Sequence, residues 1–108
     1  MKNYRVIITI EAEQDIEDLW EYIARNDSQK NAEYVLDQIE QIILSLDQNP
    51  QRGHYPDELA RQGIKLYREV FFKPYRLIYE IIENKVVVHL CVDGRRDMIS
   101  LLERRLLR

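Results

Sequence analysis

Residues 75–92 read YRLIYEIIENKVVVHLCV, and this stretch decides the fold. Its first eight residues alternate between two faces, with Arg76 and Glu80 on one face and mainly apolar or aromatic residues on the other, as a β-strand requires. Residues 83–85 form a tight turn, and residues 86–92 are almost wholly apolar, which is typical of a strand with neighbours on both sides. The stretch therefore predicts a β-hairpin whose second strand lies inside a sheet.

The sequence on either side extends this sheet. Residues 65–72 contain Leu, Tyr, Val and Phe, which favour strands, and Pro74 interrupts the pattern at a turn. Together with the hairpin they predict a three-stranded antiparallel meander. Residues 4–10, YRVIITI, are short and rich in β-branched side chains, and they predict a further strand that the sheet must recruit across the intervening chain.

Two amphipathic helices are predicted between the first strand and the meander. The first spans about residues 11–25, with Thr9 as its candidate N-cap and Arg25 in the last turn, where the helix dipole favours a cation. The second spans about residues 29–47 and ends before Pro50. Each helix has an apolar stripe at helical spacing, and because only a few residues join the two helices, we expect an antiparallel helix hairpin.

These elements predict one α+β domain over residues 1–108, with the helices on one face of the sheet. Residues 97–107 predict a short C-terminal helix, which Asp97 can cap after a turn at Gly94. The apolar side of this last helix must dock somewhere on the domain. A length of 108 residues with 45% apolar content suits a single core.

The net charge of −3 conceals a division along the chain. Residues 1–50 carry 4 Lys or Arg against 11 Asp or Glu, a balance of −7, whereas residues 51–108 carry 12 against 8, a balance of +4. An acidic partner or an anionic ligand would therefore meet the second half, although a solvated acidic helix face explains the first half equally well.

Other sequence features concern the compartment. No apolar run approaches the roughly 20 residues of a membrane span, and the N-terminus lacks a signal-peptide profile. The single cysteine, Cys91, allows no intrachain disulfide and suits a reducing compartment. We therefore expect a cytoplasmic protein that does not enter a membrane.

Four phrases resemble the RelE/ParE superfamily of bacterial toxins. They are YRVIITIEAEQDIEDLWEYIA at residues 4–24, SLDQNPQRG at 45–53, YRLIYEI at 75–81 and VHLCVDGRRD at 88–97. Their order and spacing span nearly the whole chain. The resemblance implies a growth-inhibiting toxin of a type II toxin–antitoxin system, of the kind associated with plasmid stabilisation, which an antitoxin holds inactive by wrapping its surface.

The superfamily includes two activities, because RelE-like members cut mRNA on the ribosome whereas ParE-like members poison DNA gyrase. Cleavage of RNA needs a proton acceptor for the 2′-hydroxyl, cations for the phosphorane and a proton donor for the leaving oxygen. The resemblance places three basic residues of a RelE-like site in this chain, namely Arg76, Arg95 and Arg96. An interferase would add Arg68, the only base near the expected lysine positions.

Several departures from the RelE-like pattern favour the ParE-like activity. Tyr67 and Glu69 stand where catalytic lysines are expected, and strand alternation puts Arg68 on the opposite face from them. After Arg96 the sequence contains neither His nor Tyr to transfer a proton. A pI of about 5.4 also suits ribosome binding poorly, because neutralised phosphates dominate such affinity. We therefore expect a toxin that binds its target and is not an enzyme.

Each candidate residue also has a purely structural interpretation. Arg76 can pair with Glu80 on its own strand or with Glu69 on the neighbouring strand. His89 and Cys91, two residues apart, are expected to share one face and could form a metal site or a nucleophile–base pair. Because no third ligand is evident, neither a metal nor a cofactor is expected.

The partner predictions follow from charge and amphipathicity. We expect a cognate antitoxin to use the exposed flank of the helix hairpin and the basic C-terminal segment, with DNA gyrase or the ribosome as the target. A homodimer or a hetero-oligomer with the antitoxin would suit these surfaces, and a degenerate toxin that retains only antitoxin binding stays an alternative. The candidate binding residues are Arg76, Arg95, Arg96, Arg104 and Arg105.

Overall fold

A computed structural model describes residues 3–107 of the chain. It contains every predicted helix and strand and adds short helical turns in the loop after the second helix. The elements, in chain order, are β1 (Arg5–Ile8), α1 (Ile10–Asn26), α2 (Gln29–Ser45), a 3-10 turn (Pro50–Arg52), α3 (Asp57–Ala60), β2 (Tyr67–Phe72), β3 (Tyr75–Ile82), β4 (Lys85–Asp93) and α4 (Met98–Leu106).

The strands form one sheet in the order β1-β4-β3-β2. The meander is antiparallel as predicted, and β4 lies inside the sheet because β1 pairs with it in parallel, from Arg5 opposite Lys85 to Ile8 opposite Val88. The helix hairpin supplies the long crossover that a parallel pair needs. Since β1 ends at Ile8, it covers only the first half of β4, and no strand within residues 3–107 pairs with the second half on that side.

The helix hairpin packs on one face of the sheet. Thr9 caps α1 by accepting a hydrogen bond from the Ala12 N–H, as predicted, and Ser28 caps α2 in the same way through the Asn31 N–H. Hydrophobic burial drives the contact, at roughly 1.5–3 kcal/mol for each large apolar side chain that is fully buried. This hairpin-side core includes the buried residues Ala12, Ile23, Ala32, Val35, Ile39, Ile43, Leu46, Val70, Leu77, Tyr79, Val86, Val88 and Cys91.

The C-terminal helix α4 lies on the opposite face of the sheet from the helix hairpin, which settles where the apolar side of this last helix docks. Neighbouring residues of β3, Leu77 and Ile78, are both fully buried although they point to opposite faces, which means that both faces need an apolar cover. Asp97 caps α4 through the Ser100 N–H, as predicted. The α4-side core consists of Leu59, Tyr67, Ile78, Leu90, Val92, Met98, Leu101 and Leu102.

A β-bulge in β4 reverses the alternation of its side chains. Ile78 pairs with Leu90 and Tyr79 pairs with Val88, so His89 is left without a partner position on β3. As a consequence Cys91 packs in the hairpin-side core, whereas His89 contacts the ring of Tyr67 on the α4 side at 5.5 Å. The prediction that His89 and Cys91 share a face is therefore wrong.

The loop before α3 is held close to the sheet at Gly53. A Cβ atom at this position would lie 2.2 Å from the Tyr79 hydroxyl and 2.8 Å from the Glu69 carbonyl oxygen, so only glycine fits. His54 then forms an isolated bridge with Glu69, with backbone hydrogen bonds of 3.1 and 2.7 Å. These contacts bring His54 and Glu58 over the face of the sheet that carries Arg76.

No helix within residues 3–107 combines the length and the apolar character needed to cross a membrane.

Candidate functional site

Arg76 lies at the centre of a charged cluster on the α4 side of the sheet. Its Nη1 and Nη2 atoms donate to the two carboxylate oxygens of Glu58, both at 2.8 Å, and its Nε donates to Oε2 of Glu69, also at 2.8 Å. The other oxygen of Glu69 lies 3.1 Å from Nε2 of His54. We call Arg76, Glu58, Glu69 and His54 the Arg76 cluster.

Burial governs the electrostatics of the Arg76 cluster. Glu69 is only 2% exposed, and its burial raises its pKa, while hydrogen bonding from Arg76 offsets part of this effect. At the rim, the hydrogen bonds from Arg76 lower the pKa of Glu58, and the same bonds raise the pKa of Arg76. The guanidinium is therefore charged and already satisfied by two carboxylates, which leaves little capacity for an external anion.

One of the two predicted partners of Arg76 is present. Glu69 pairs with it, whereas Glu80 instead approaches Nε2 of His89 at 2.9 Å. Glu58 and His54 were not predicted, because both come from the loop after α2 and no sequence pattern reports which strand a loop covers.

Arg68 has different contacts from Arg76. It donates to the carbonyl oxygens of Gly53 and Gln51, and its guanidinium lies 4.7 Å from the ring centre of Tyr55. Alternation along β2 puts it on the face of Val70, which belongs to the hairpin-side core, as the sequence indicated. Arg68 thus supports the loop that carries the Arg76 cluster.

The turn after β4 holds the next two basic candidates. Arg95 forms an exposed ion pair with Asp93, whose pKa it lowers through hydrogen bonding. Gly94 packs against the Arg76 side chain so closely that a Cβ atom would lie 2.6 Å from its Cδ. Arg96 lines a cleft of 380 Å³ between α1 and the uncovered half of β4, together with Asp15, Asp18, Leu19, Tyr22, Cys91, Val92 and Asp93.

Arg105 ties α4 to α1 around the edge of the sheet. It donates to both carboxylate oxygens of Asp15 at 3.0 Å and to the His89 carbonyl oxygen at 2.9 Å. Asp15 also accepts a hydrogen bond of 3.1 Å from the Cys91 N–H, a group that β1 is too short to reach. Asp15 and Arg105 thus satisfy backbone groups on the uncovered half of β4, while Arg104 lies exposed on the last turn of α4.

Cys91 is expected to be chemically inert in the folded protein. It is 1% exposed, and burial raises the pKa of its thiol to about 12, so the reactive thiolate is scarce at pH 8. Reaction with a disulfide reagent at pH 8 should be at least roughly a hundredfold slower for native than for guanidine-unfolded protein. Similar rates in the two states would contradict the buried position.

The geometry gives no support to a metal site at His89. Among residues 3–107, no three His, Cys, Asp or Glu side chains lie close enough together to hold a metal ion. His89 and Cys91 occupy opposite faces of the sheet, so they form no nucleophile–base pair either.

Known structures share this fold. A chromosomal ParDE toxin–antitoxin system from P. aeruginosa aligns with a TM-score of 0.71 and 13% identity, covering 83% of this chain and 95% of that one. The toxin–antitoxin complex RelBE2 from Mycobacterium tuberculosis gives 0.63 and 19%, covering 86% and 93%. A mutant of the E. coli toxin RelE in the free state gives 0.60 and 14%, covering 96% and 99%. A search of curated proteins found no significant match.

The fold and the sequence together place the chain among the toxins of the RelE/ParE superfamily. Within that superfamily the sequence model of one family, described as the ParE toxin of the type II toxin–antitoxin system parDE, matches residues 6–99. The match spans most of the chain, and the chain belongs to this family.

Proposed function

We propose that this toxin inhibits growth by binding its target, DNA gyrase by the precedent of its family, and that it does not cleave RNA. The observation that carries the proposal is the Arg76 cluster. Of the basic residues implied by the resemblance to RelE, Arg76 is the one on strand β3. Its three guanidinium nitrogens each lie 2.8 Å from a carboxylate oxygen of Glu58 or Glu69.

A phosphate approaching Arg76 would meet Glu58 and Glu69 beside it. To bind, it would have to displace Glu58 and leave that carboxylate without its ion pair, next to a second buried acid. RNA cleavage needs the reverse arrangement, with cations in excess around the scissile phosphate. The absence of His and Tyr after Arg96 in the sequence supports the same conclusion.

Expression of the chain alone from a tightly controlled promoter tests the proposal. We expect growth arrest with an induced DNA-damage response and intact mRNA, and inhibition of supercoiling when purified gyrase is mixed with the purified chain. Arrest with cleaved mRNA would instead support a ribosome-dependent interferase. No arrest would support a degenerate toxin that retains only antitoxin binding. Because both targets lie in the bacterial cytoplasm, we propose that the toxin acts there.

We further propose that a cognate antitoxin neutralises the toxin, alone or in a larger hetero-oligomer, and that an acidic segment of it contacts the basic C-terminal end. The balance of +4 over residues 51–108 supports this proposal. Arg96 and Arg104 are both exposed at this end of the chain, which makes them suitable test positions.

The double variant Arg96→Glu/Arg104→Glu should bind the antitoxin roughly tenfold more weakly, because each reversal replaces an exposed attraction by a repulsion. Affinity is measured with the product of the adjacent reading frame, purified and titrated by calorimetry. The double variant Arg5→Glu/Lys30→Glu changes the net charge equally in the acidic half and serves as the control. Equal affinities for all three proteins would count against an acidic contact at this end.

A further inference from the structure

The edge of the sheet at strand β2 carries three cations that no acid neutralises. They are Arg52, which ends the 3-10 turn, Lys65, which lies just before β2, and Arg68 on β2 itself. Within residues 3–107, none of these three side chains forms an ion pair with a carboxylate. Arg76 and Arg105 are each held by a carboxylate, so the cations at the edge of β2 differ from them in being available to an external anion.

Contacts around the loop before α3 bring the three cations together. The Arg68 guanidinium lies 4.7 Å from the ring centre of Tyr55, and Nζ of Lys65 lies 6.0 Å from the centre of the same ring. Burial raises the pKa of Tyr79, while a backbone hydrogen bond and the charges of Arg68 and Arg52 oppose the rise, so both arginines lie near its hydroxyl. The hydrogen bonds of Arg68 all go to uncharged oxygen atoms, which leave its positive charge in place.

An exposed aromatic pair adjoins these cations. The rings of His54 and Phe71 have their centres 5.0 Å apart and their planes at 30° to each other. Phe71 is 41% exposed, and the His54 side chain is 57% exposed. His54 precedes Tyr55 in the loop, and Phe71 follows Arg68 by three residues on β2, a separation of about 10 Å. The β2-edge patch, as we call it, consists of Arg52, His54, Tyr55, Lys65, Arg68 and Phe71.

From this juxtaposition we propose that the β2-edge patch binds single-stranded DNA. The cations contact phosphates along the strand, and an unpaired base stacks on the rings of Phe71 and His54. This assignment goes beyond the proposed function, which names a protein as the target and includes no contact with nucleic acid. The choice of DNA over RNA rests on that function, because the proposed target is an enzyme that acts on DNA.

Exposed rings beside the cations favour a nucleic-acid strand over an acidic peptide. A carboxylate side chain would use the cations alone, whereas every base has a flat face that can stack on an aromatic ring. Duplex DNA keeps the faces of its bases inside the helix, so a single strand fits the aromatic pair better. The net charge of −3 does not oppose binding here, because the acids are concentrated in residues 1–50 and the three cations belong to the second half, with its balance of +4.

A phosphate at the β2-edge patch displaces no carboxylate. Arg52 would exchange a hydrogen bond of 2.7 Å to the Ser45 hydroxyl, and Lys65 is exposed beside the patch. At Arg76 the same approach would break the ion pair with Glu58 and leave that carboxylate uncompensated. The fold thus closes Arg76 to phosphate and leaves the β2-edge patch open to it.

The test titrates the complete chain into a fluorescently labelled oligothymidine of about 12 nucleotides, a length within the usual range of single-strand sites. We expect a saturable rise of fluorescence anisotropy at low salt. If each of the three cations neutralises one phosphate, the affinity should fall about fourfold for each doubling of the salt concentration. A duplex of the same length should bind more weakly, because it offers no base to the aromatic pair.

Variants separate the patch from general charge attraction. The double variant Arg52→Gln/Lys65→Gln should weaken binding about tenfold and reduce its dependence on salt to about a third, because one phosphate contact remains. Arg5→Gln/Lys30→Gln is the matched control, with the same change of net charge at exposed positions on β1 and at the start of α2. Phe71→Leu should weaken binding about fivefold or more without changing the salt dependence, since it removes a ring and no charge. The unfolding midpoint of each variant is measured to show that the fold is kept.

Several results would overturn the assignment. No saturable change in anisotropy, equal weakening by the control double variant, or an unchanged affinity in Phe71→Leu would each do so. Tighter binding of oligouridine than of oligothymidine would reassign the patch to RNA, and displacement of the DNA by a glutamate-rich peptide of equal charge would reassign it to an acidic protein. Because the assay contains no gyrase, a negative result here says nothing against the inhibition of supercoiling, which is measured in its own assay.

Discussion

Arg76→Met is expected to lower the free energy of unfolding by about 3–5 kcal/mol at pH 7, the usual cost of breaking a buried ion pair from one side. The methionine keeps much of the volume of the side chain but leaves the buried Glu69, 2% exposed, without its compensating charge. Urea unfolding followed by circular dichroism measures the effect.

Arg95→Met is the matched control for this variant. It removes the same chemical group from an ion pair with Asp93 in which the arginine is 76% exposed, so we expect no measurable loss of stability. If Arg76→Met were as stable as Arg95→Met, the ion pairs of the Arg76 cluster would contribute nothing to the fold. They would then also be too weak to keep a phosphate away from Arg76.

The loss caused by Arg76→Met should depend on pH in a defined direction. Burial raises the pKa of Glu69, and without Arg76 the main opposing effect is gone. A carboxyl group with a raised pKa in the folded state stabilises the fold fully below its unfolded pKa, and that contribution is lost as the pH rises through the folded value. The variant should therefore recover stability between pH 7 and pH 5. A deficit that grows over this interval would contradict a raised pKa.

A second substitution at Glu69 should rescue the variant. In Arg76→Met/Glu69→Leu the most deeply buried charge is gone, and apolar replacements of buried pairs are often neutral or stabilising. Glu58 also loses its ion pair, but its side chain is 22% exposed and can be hydrated at the rim. His54 loses its partner in this protein, but its side chain is 57% exposed and stays hydrated. We expect the double variant to regain most of the lost free energy, which separates the cost of an unpaired charge from that of lost packing.

Asp15→Ala is expected to lower the free energy of unfolding by about 2–3 kcal/mol. It removes the carboxylate that accepts from both Arg105 nitrogens and from the Cys91 N–H, and so leaves an arginine that is 18% exposed without its ion pair. The control is Asp18→Ala on the same helix, whose exposed side chain accepts a hydrogen bond from Gln14 and whose loss should cost little.

Hydrogen exchange adds a local readout to the Asp15→Ala experiment. Because Arg105 ties α4 to α1, the amides of α4 should exchange faster in Asp15→Ala than in Asp18→Ala, beyond the change in global stability. Equal protection of α4 in the two variants would show that its apolar contacts alone hold it in place. The experiment also tests whether Asp15 keeps α4 in place, the helix that carries Arg104 and Arg105 at the end where we propose that the antitoxin binds.

The sequence determined the helices and strands because their signals are local. Thr9 and Asp97 cap the helices they were expected to cap, and the strand alternation around Arg76 appears in β3. Periodicity of apolar residues reports the face that an element buries, whichever partner covers it. The family resemblance likewise rested on residues that can be quoted in order along the chain.

The pairings of the candidate site were only partly accessible from the sequence. Glu69 could be predicted as a partner of Arg76 because a short turn joins β2 to β3. Residues of the two strands that lie close to this turn must therefore be neighbours in the sheet. Glu58 and Asp15 were not, since their partners are 18 and 90 residues away along the chain. The β-bulge at His89 was equally hidden, because one extra residue in a strand leaves the composition unchanged and reverses which side chains share a face.

The sequence by itself thus determined the elements, their order, the family and the division of charge between the acidic first half and the basic second half. Only the tertiary structure decided that α4 covers the opposite face of the sheet, that Arg76 is neutralised by Glu58 and Glu69, and that Arg105 is committed to Asp15. The physical reason is that the sequence does not show which oppositely charged residue a given arginine will pair with. Whether an arginine can meet a phosphate or a partner protein depends on which carboxylates the fold has already brought within hydrogen-bonding distance.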